Sequence, residues 1–287
     1  MALLRFLAPA KINLYLRVVG KRPDGYHELE SLFERITLAD ALTFESHPTD
    51  IQLSCNRPGL SCGEDNLVMK AARLLQKETG AKQGAAIQLT KRIPIASGLG
   101  GGSSDAATTL LGLNELWGLK LKPQTLIEYG SRLGSDVAFF LYNASYAIGT
   151  GRGEICRPLV SGTRLAHVLV VPDACLSTLE IFKGGSFNLT APKPSIRIAE
   201  HALSNGSLSE LASGLLNDLE PEAIRRCPVI TTIQKTLTRL GCLAARMSGS
   251  GPSVFGLCEN REQAERIAQQ LRRNTTQPWL VDITETL

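Results

Sequence analysis

This chain has no C-x-x-C pair, no H-x-x-x-H spacing and no long apolar run, and each absence removes a class of protein. Its seven cysteines, at 55, 62, 156, 175, 227, 242 and 258, are odd in number and scattered, which argues for buried thiols in a reduced protein rather than a disulfide scaffold. With the four histidines equally dispersed, no protein-bound structural metal is expected. Nothing approaches the roughly eighteen apolar residues of a membrane span. The opening MALLRFLAPAK is broken by Arg5 and Pro9 and lacks the apolar core of a secretory leader, so a cytoplasmic location without a membrane partner is the expectation. Aromatics are only 5% of residues, and the net charge of +4 contains no dense Lys/Arg run. A nucleic-acid partner is therefore not expected, whereas an anionic small substrate suits the mild positive balance. No low-complexity tract or repeat period is present, and no motif specifies an oligomeric state.

What is present is the composition of a folded protein of one large or two ordinary domains, with 287 residues, 43% hydrophobic and 20% charged. Strand patterns fall at Arg5 to Leu7, Ile12 to Val19, Leu29 to Thr37, Ala41 to Glu45 and Ile87 to Lys91. Helices are predicted from about Asn66 to Thr79, stopped by Gly80, and from Pro123 to Leu133, capped by Gly134. The second half reads as a strand at Ala166 to Val171, a helical stretch, strands at Cys242 to Met247 and Ser253 to Cys258, a helix around Ala264 to Leu271, and a strand at Trp279 to Ile283. That order is the β-α-β-β-α-β arrangement of a ferredoxin-like unit. The fold class is α+β, divided near residues 155 to 165 into domains of residues 1–160 and 161–287. Residues 183 to 195 read as an exposed loop.

The richest stretch is PIASGLGGGSSDAA, Pro94 to Ala107, which sets four glycines and three serines directly before a helical pattern. Glycine lets the backbone turn and approach an anion, and a helix start adds unpaired N–H groups and partial positive charge. No lysine follows as a Walker A loop requires, and counting from Gly98 the sixth place is Ser103, so the dinucleotide fingerprint fails as well. A flexible linker is the plainer alternative, but Ala106, Ala107, Leu110, Leu111, Leu113, Asn114 and Trp117 follow at near-helical spacing, with Ser103 or Ser104 as N-cap.

Four further patches carry chemistry. PAKINL places Lys11 inside an apolar strand, where it either meets an anion or extends outward from an edge. GKRPDGYHELES is a turn presenting Tyr26 and His27, either to a planar ring or as an ordinary hairpin tip. LGSDVAFF sets Asp136 before an apolar stretch, as a general base, an ion-pair partner or a helix N-cap. MSGSGPSVFG, from Met247, either lines a phosphate or makes a tight hairpin.

Together, and in this order from Pro9 to about Gly256, these motifs resemble the GHMP kinase superfamily, and DGYHELES after PAKINL resembles one branch of it. The resemblance implies an N-terminal domain like domain 2 of ribosomal protein S5, a C-terminal ferredoxin-like domain, and a cytidine substrate bound in the cleft between them. It implies ATP-dependent phosphorylation of the tertiary 2-hydroxyl of a cytidine-diphosphate-linked methylerythritol in non-mevalonate isoprenoid synthesis. ATP is the phosphoryl donor, with Mg²⁺ held mainly by phosphates and water. By this resemblance Asp136 is the base and Lys11 its partner. Pro94, Ala96, Ser97, Gly98, Leu99, Gly100, Gly101, Gly102, Ser103 and Ser104 hold the phosphates, and Asn66 and Lys91 lie near the adenosine. Asn13, Tyr26, His27, Phe33, Thr178 and Phe182 serve the second substrate, with the cytosine between Tyr26 and Phe182 and its edge read by His27.

Two positions depart from the pattern. Leu179 stands where a proline follows the threonine in the family, which bears on the placement of Thr178 and Phe182. Asp105 stands where many relatives have Asn, and is expected to act as a cap or behind the site rather than as a metal ligand. Other superfamily kinases lack the GYHELES turn. A nucleotide sensor would lack the base or the lysine, and an RNA-binding relative would need a basic, aromatic face.

Overall fold

The computed structural model describes residues 3–287. In chain order its elements are β1 (Leu3–Lys21), β2 (His27–His47), β3 (Ile51–Cys55), α1 (Leu67–Thr79), β4 (Gly84–Thr90), α2 (Gly101–Leu116) and α3 (Pro123–Leu133). Then come α4 (Val137–Leu141), β5 (Tyr146–Gly151), β6 (Ile155–Leu159), β7 (Ala166–Val171), α5 (Thr178–Gly184), α6 (Ile196–Asn205) and α7 (Leu208–Gly214). The chain ends with β8 (Leu216–Asn217), α8 (Glu220–Arg226), α9 (Val229–Arg239), β9 (Ala244–Met247), β10 (Val254–Cys258), α10 (Arg261–Asn274) and β11 (Leu280–Glu285).

These elements form two compact units. The first takes residues up to Ala10, Leu38–Ile93 and Gly100–Asn143; the second takes Lys11–Thr37, Pro94–Leu99 and Ala144–Leu287. In the first, β4 pairs antiparallel with the later part of β2 and parallel with β3. Helix α2 is buried around most of its circumference, from Ser104 through Leu110 to Gly112 and Leu113. Gly112 is needed by contact, because a Cβ there would lie 2.4 Å from the Phe44 ring. Helix α1 starts where expected, since the Asn66 side chain accepts from the Val68 N–H at 2.9 Å, and it stops at left-handed Gly80.

In the second unit, β5 pairs antiparallel with the first part of β2 and with β6, while β8 adds parallel to β1 at Tyr15 and Leu16. A separate antiparallel sheet has the order β11-β7-β10-β9, the ferredoxin-like order expected from the strand sequence, with several helices rather than one between β7 and β9. Its core joins Val168, Val170, Val254 and Met247 to Ile230 and Ile233 of α9 and Ile267 and Leu271 of α10.

Three local expectations are corrected. The separate strands Arg5 to Leu7 and Ile12 to Val19 are one strand, β1, and Leu29 to Thr37 and Ala41 to Glu45 are likewise one strand, β2. Within β2 Asp40 is fully buried, its Oδ1 accepting the backbone N–H groups of Arg92 and Ile93. Neither Ser103 nor Ser104 caps α2. Gly100 occupies the N-cap in the left-handed region at φ 72°, and both serines lie within the helix.

Candidate active site

The glycine stretch is a turn built from left-handed residues. Ala96, Gly98 and Gly100 have φ of 52°, 79° and 72°, and the Ser97 hydroxyl closes the turn on the Pro94 carbonyl at 2.6 Å. From Gly98 to Gly102 the only side chain is that of Leu99, which is fully buried. The turn is backed by the second Ser-Gly stretch, which is the antiparallel connection from β9 to β10. Here the Ser248 hydroxyl donates to the Gly98 carbonyl at 3.0 Å, and the Ser253 N–H donates to the Ser97 carbonyl at 3.2 Å. The approach is so close that a Cβ on Gly98 would lie 2.1 Å from the Ser248 carbonyl oxygen.

On the same unit, β1 brings Lys11 and Asn13 to this turn. The Lys11 N–H donates to the Leu99 carbonyl at 2.9 Å, and Lys11 and Asn13 are 4% and 2% exposed. Lys11 Nζ donates to Asn13 Oδ1 at 2.6 Å, Asn13 Nδ2 to Ser31 Oγ at 2.8 Å, and Ser31 Oγ to the Tyr15 carbonyl at 2.8 Å. The Lys11 ammonium also lies 5.6 Å from the centroid of the Phe33 ring. Lys11 therefore does not extend from an edge. Gly249, at φ 56°, closes the group: a Cβ there would lie 2.9 Å from the Gly98 oxygen, 3.2 Å from Lys11 Nζ and 3.3 Å from Asn13 Oδ1.

In the first unit Lys91 is enclosed. Its ammonium pairs with Asp40 and, at 2.7 Å, with Asp105 Oδ2, and all three side chains are nearly inaccessible. Burial disfavours the charge on Lys91, yet Asp105 and Asp40 more than offset this and hold its pKa above the usual lysine range. Burial pushes the Asp105 carboxyl up, with Lys91 pulling against the shift and Asp40 adding to it. Asp40 has two backbone donors as well as Lys91, whereas Asp105 Oδ1 is buried without a partner, so Asp105 keeps its proton longer. Asp105 is therefore an ion-pair partner and not a cap. Asn66 is committed as well, its amide capping α1 and donating to the Ser61 carbonyl at 2.6 Å. Asp136 sits at the N-cap position of α4 without a capping side-chain hydrogen bond, ahead of buried Val137 to Phe140.

The Tyr26–His27 turn meets α5 within the second unit. The imidazole of His27 stacks on Phe182 with centroids 5.4 Å apart and planes 22° apart. Tyr26 is 57% exposed, and the Arg152 guanidinium lies 5.0 Å from its ring centroid. Burial and then Lys21 lower the His27 pKa, which keeps the ring neutral near pH 7. Ser177 caps α5, Thr178 is its first residue and donates to or accepts from Ser250 Oγ at 2.7 Å, and Phe182 follows one turn on. Leu179 points outward at 62% exposure, so the missing proline does not disturb the placement of Thr178 and Phe182 on the helix.

Sequence reasoning missed Asp40, Ser31, Arg152, Phe187 and Ser250. Ser31, at the end of GKRPDGYHELES, and Ser250, within the noted SGSG stretch, carried a local signal; the others are brought in by strand pairing and chain return. Among the described residues no three His, Cys, Asp or Glu side chains cluster to hold a metal, and no helix is long and apolar enough to cross a membrane.

Residues 66–144 match the GHMP kinases N terminal domain, and residues 199–276 match the family described as GHMP kinases C terminal. A 4-diphosphocytidyl-2-C-methyl-D-erythritol kinase of Pelotomaculum thermopropionicum is 42% identical over 272 residues, covering 94% of each chain. One from a Geobacter species is 39% identical over 287 residues, covering 99% of each. A crystal structure of 4-(cytidine 5'-diphospho)-2C-methyl-D-erythritol kinase superposes with a TM-score of 0.82 at 34% identity, over 99% of this chain and all of that one.

Proposed function

This chain belongs to the GHMP kinases, and within them to the 4-diphosphocytidyl-2-C-methyl-D-erythritol kinase family, and we propose that it phosphorylates that cytidine substrate with ATP. The reaction joins the γ-phosphoryl group to the 2-hydroxyl of 4-(cytidine 5'-diphospho)-2-C-methyl-D-erythritol, giving the 2-phosphate and ADP, in the non-mevalonate route to isoprenoids. The observation that carries this reading is the buried Lys11–Asn13–Ser31 line set against the glycine turn at Gly98 and Gly249.

A tertiary alcohol is a poor nucleophile at neutral pH, so its proton must leave as the phosphoryl group arrives, with the developing alkoxide stabilised. Asp136 takes the proton, a role worth about 10² to 10⁴ in rate. Lys11 supplies the positive charge, and Asn13, which accepts from its ammonium, fixes where that charge sits. Residues Pro94 to Ser104 hold the polyphosphate. Their fit to it rests on the glycines at 98 and 100 to 102 and on a backbone turned by three left-handed residues. Mg²⁺ comes with the ATP phosphates and completes its shell with water; we assign it no protein ligand.

The adenosine lies near Asn66 and Lys91, which shape that end through α1 and the Asp40–Lys91–Asp105 group rather than through uncommitted side chains. Tyr26, His27, Phe33, Thr178 and Phe182 bind the cytidine substrate. A neutral His27 has one donor and one acceptor nitrogen, which suits the edge of a base. The deciding experiment is a coupled ADP-release assay with the cytidine-linked methylerythritol and, in parallel, unlinked methylerythritol phosphate. Turnover is expected with the first alone, and equal turnover with both would overturn the substrate assignment. A cytidine nucleotide should raise the unfolding temperature, and homoserine or mevalonate should not.

A further inference from the structure

Helix α5 ends at Gly184, and the Gly185 N–H closes it on the Ile181 carbonyl at 3.0 Å. The chain then folds back so tightly that a Cβ on Gly185 would lie 2.3 Å from the Phe187 ring. The missing side chain at Gly185 thus leaves the space into which an aromatic ring returns over its own backbone. The returned ring meets His27 at 5.0 Å between centroids and 76° between planes, and Phe182 at 6.4 Å and 56°. His27 is therefore held by two aromatic rings in different orientations, Phe182 nearly parallel and Phe187 nearly perpendicular.

From this geometry we propose that Phe187 is a positioning residue: it sets the ring plane of His27 for the nucleobase of the substrate. This rests on the function proposed above. A single stacked neighbour leaves an imidazole free to turn in its own plane and to slide; a second ring at a steep angle removes that freedom. A base that hydrogen-bonds the imidazole then meets nitrogens already in place, and binding loses less to ordering. The contribution of one edge-on aromatic contact corresponds to about a threefold to tenfold change in affinity. Phe187 also packs at the margin of the second unit's core, so its loss could act through stability alone, and the test must separate the two.

Titration calorimetry with cytidine 5'-diphosphate and, separately, ADP makes that separation. Phe187→Leu keeps an apolar side chain in the core and removes the ring. It should bind the cytidine nucleotide about three to ten times more weakly and raise the KM for the cytidine substrate by the same factor, with kcat and ADP affinity unchanged. Phe187→Tyr should restore wild-type affinity. A leucine variant that melts earlier but binds the cytidine nucleotide normally would overturn the proposal, as would failure of tyrosine to restore binding. If the wild-type protein itself ignores the cytidine nucleotide, the substrate reading fails; if only the variants match wild type, this inference alone fails.

Discussion

Lys91 Nζ and Asp105 Oδ2 lie 2.7 Å apart in a region almost closed to water, and the same ammonium also pairs with Asp40. One positive charge thus faces two carboxylates. Asp40 is the better satisfied, through the Arg92 and Ile93 amides, which leaves Asp105 as the group that resists ionisation.

This has a pH consequence. Burial first, then Asp40, raises Asp105 in the folded chain to about 7 from the 3.8 of a free aspartate, so the unfolded chain gives up that proton more readily. The resulting penalty on the folded state is absent below the unfolded pKa, grows as pH rises between the two values, and is complete above the folded one. Asp105→Asn removes it while Asp40 still pairs with Lys91. The melting temperature of the variant relative to wild type should therefore rise from pH 5 to pH 8, and a difference independent of pH would exclude this account.

Gly98 should tolerate no side chain. Left-handed backbone alone costs an alanine about 1–2 kcal/mol, and the overlap with the Ser248 carbonyl adds to that. Gly98→Ala should lower the melting temperature and raise the KM for ATP, measured by calorimetry and steady-state kinetics. Gly80→Ala, also left-handed but with nothing within 4 Å of the new Cβ, should lose only stability.

Asp136→Asn should cut kcat by about 10² to 10⁴ while leaving cytidine 5'-diphosphate affinity within about twofold. Near-normal kcat would remove Asp136 from the base role. Lys11→Ala should lose turnover too. Because Lys11 donates to Asn13 and packs on Phe33, its loss should also lower the melting temperature.

Tyr26→Ala should raise the KM for the cytidine substrate with kcat unchanged. The ring is exposed and lies against the Arg152 guanidinium, so stability should hardly move. An unchanged KM would remove Tyr26 from the stacking role.

The ferredoxin-like order was legible because alternation and helical spacing are local signals, and β7 lies where that alternation put it. The stop of α1 at Gly80 was legible for the same reason, since a cap acts within a few residues of its own position, whereas Asn66 was read toward the adenosine and not as the cap. Asp40 was not legible, since its partners are the amides of Arg92 and Ile93, far along the chain. The start of α2 was misread because serine is the commoner cap, whereas here the loop must turn left-handed at Gly100. Lys11 and Asn13 were visible as polar residues in an apolar strand, but their common contact with Gly249 comes only from folding.

The packing of Ser248 on Gly98 bears on how the phosphate loop can be engineered. It is not a portable cassette. A chimera given Pro94 to Ala107 from another kinase inherits a backbone shaped against a different hairpin, and the graft has to carry residues 248 to 253 as its second half.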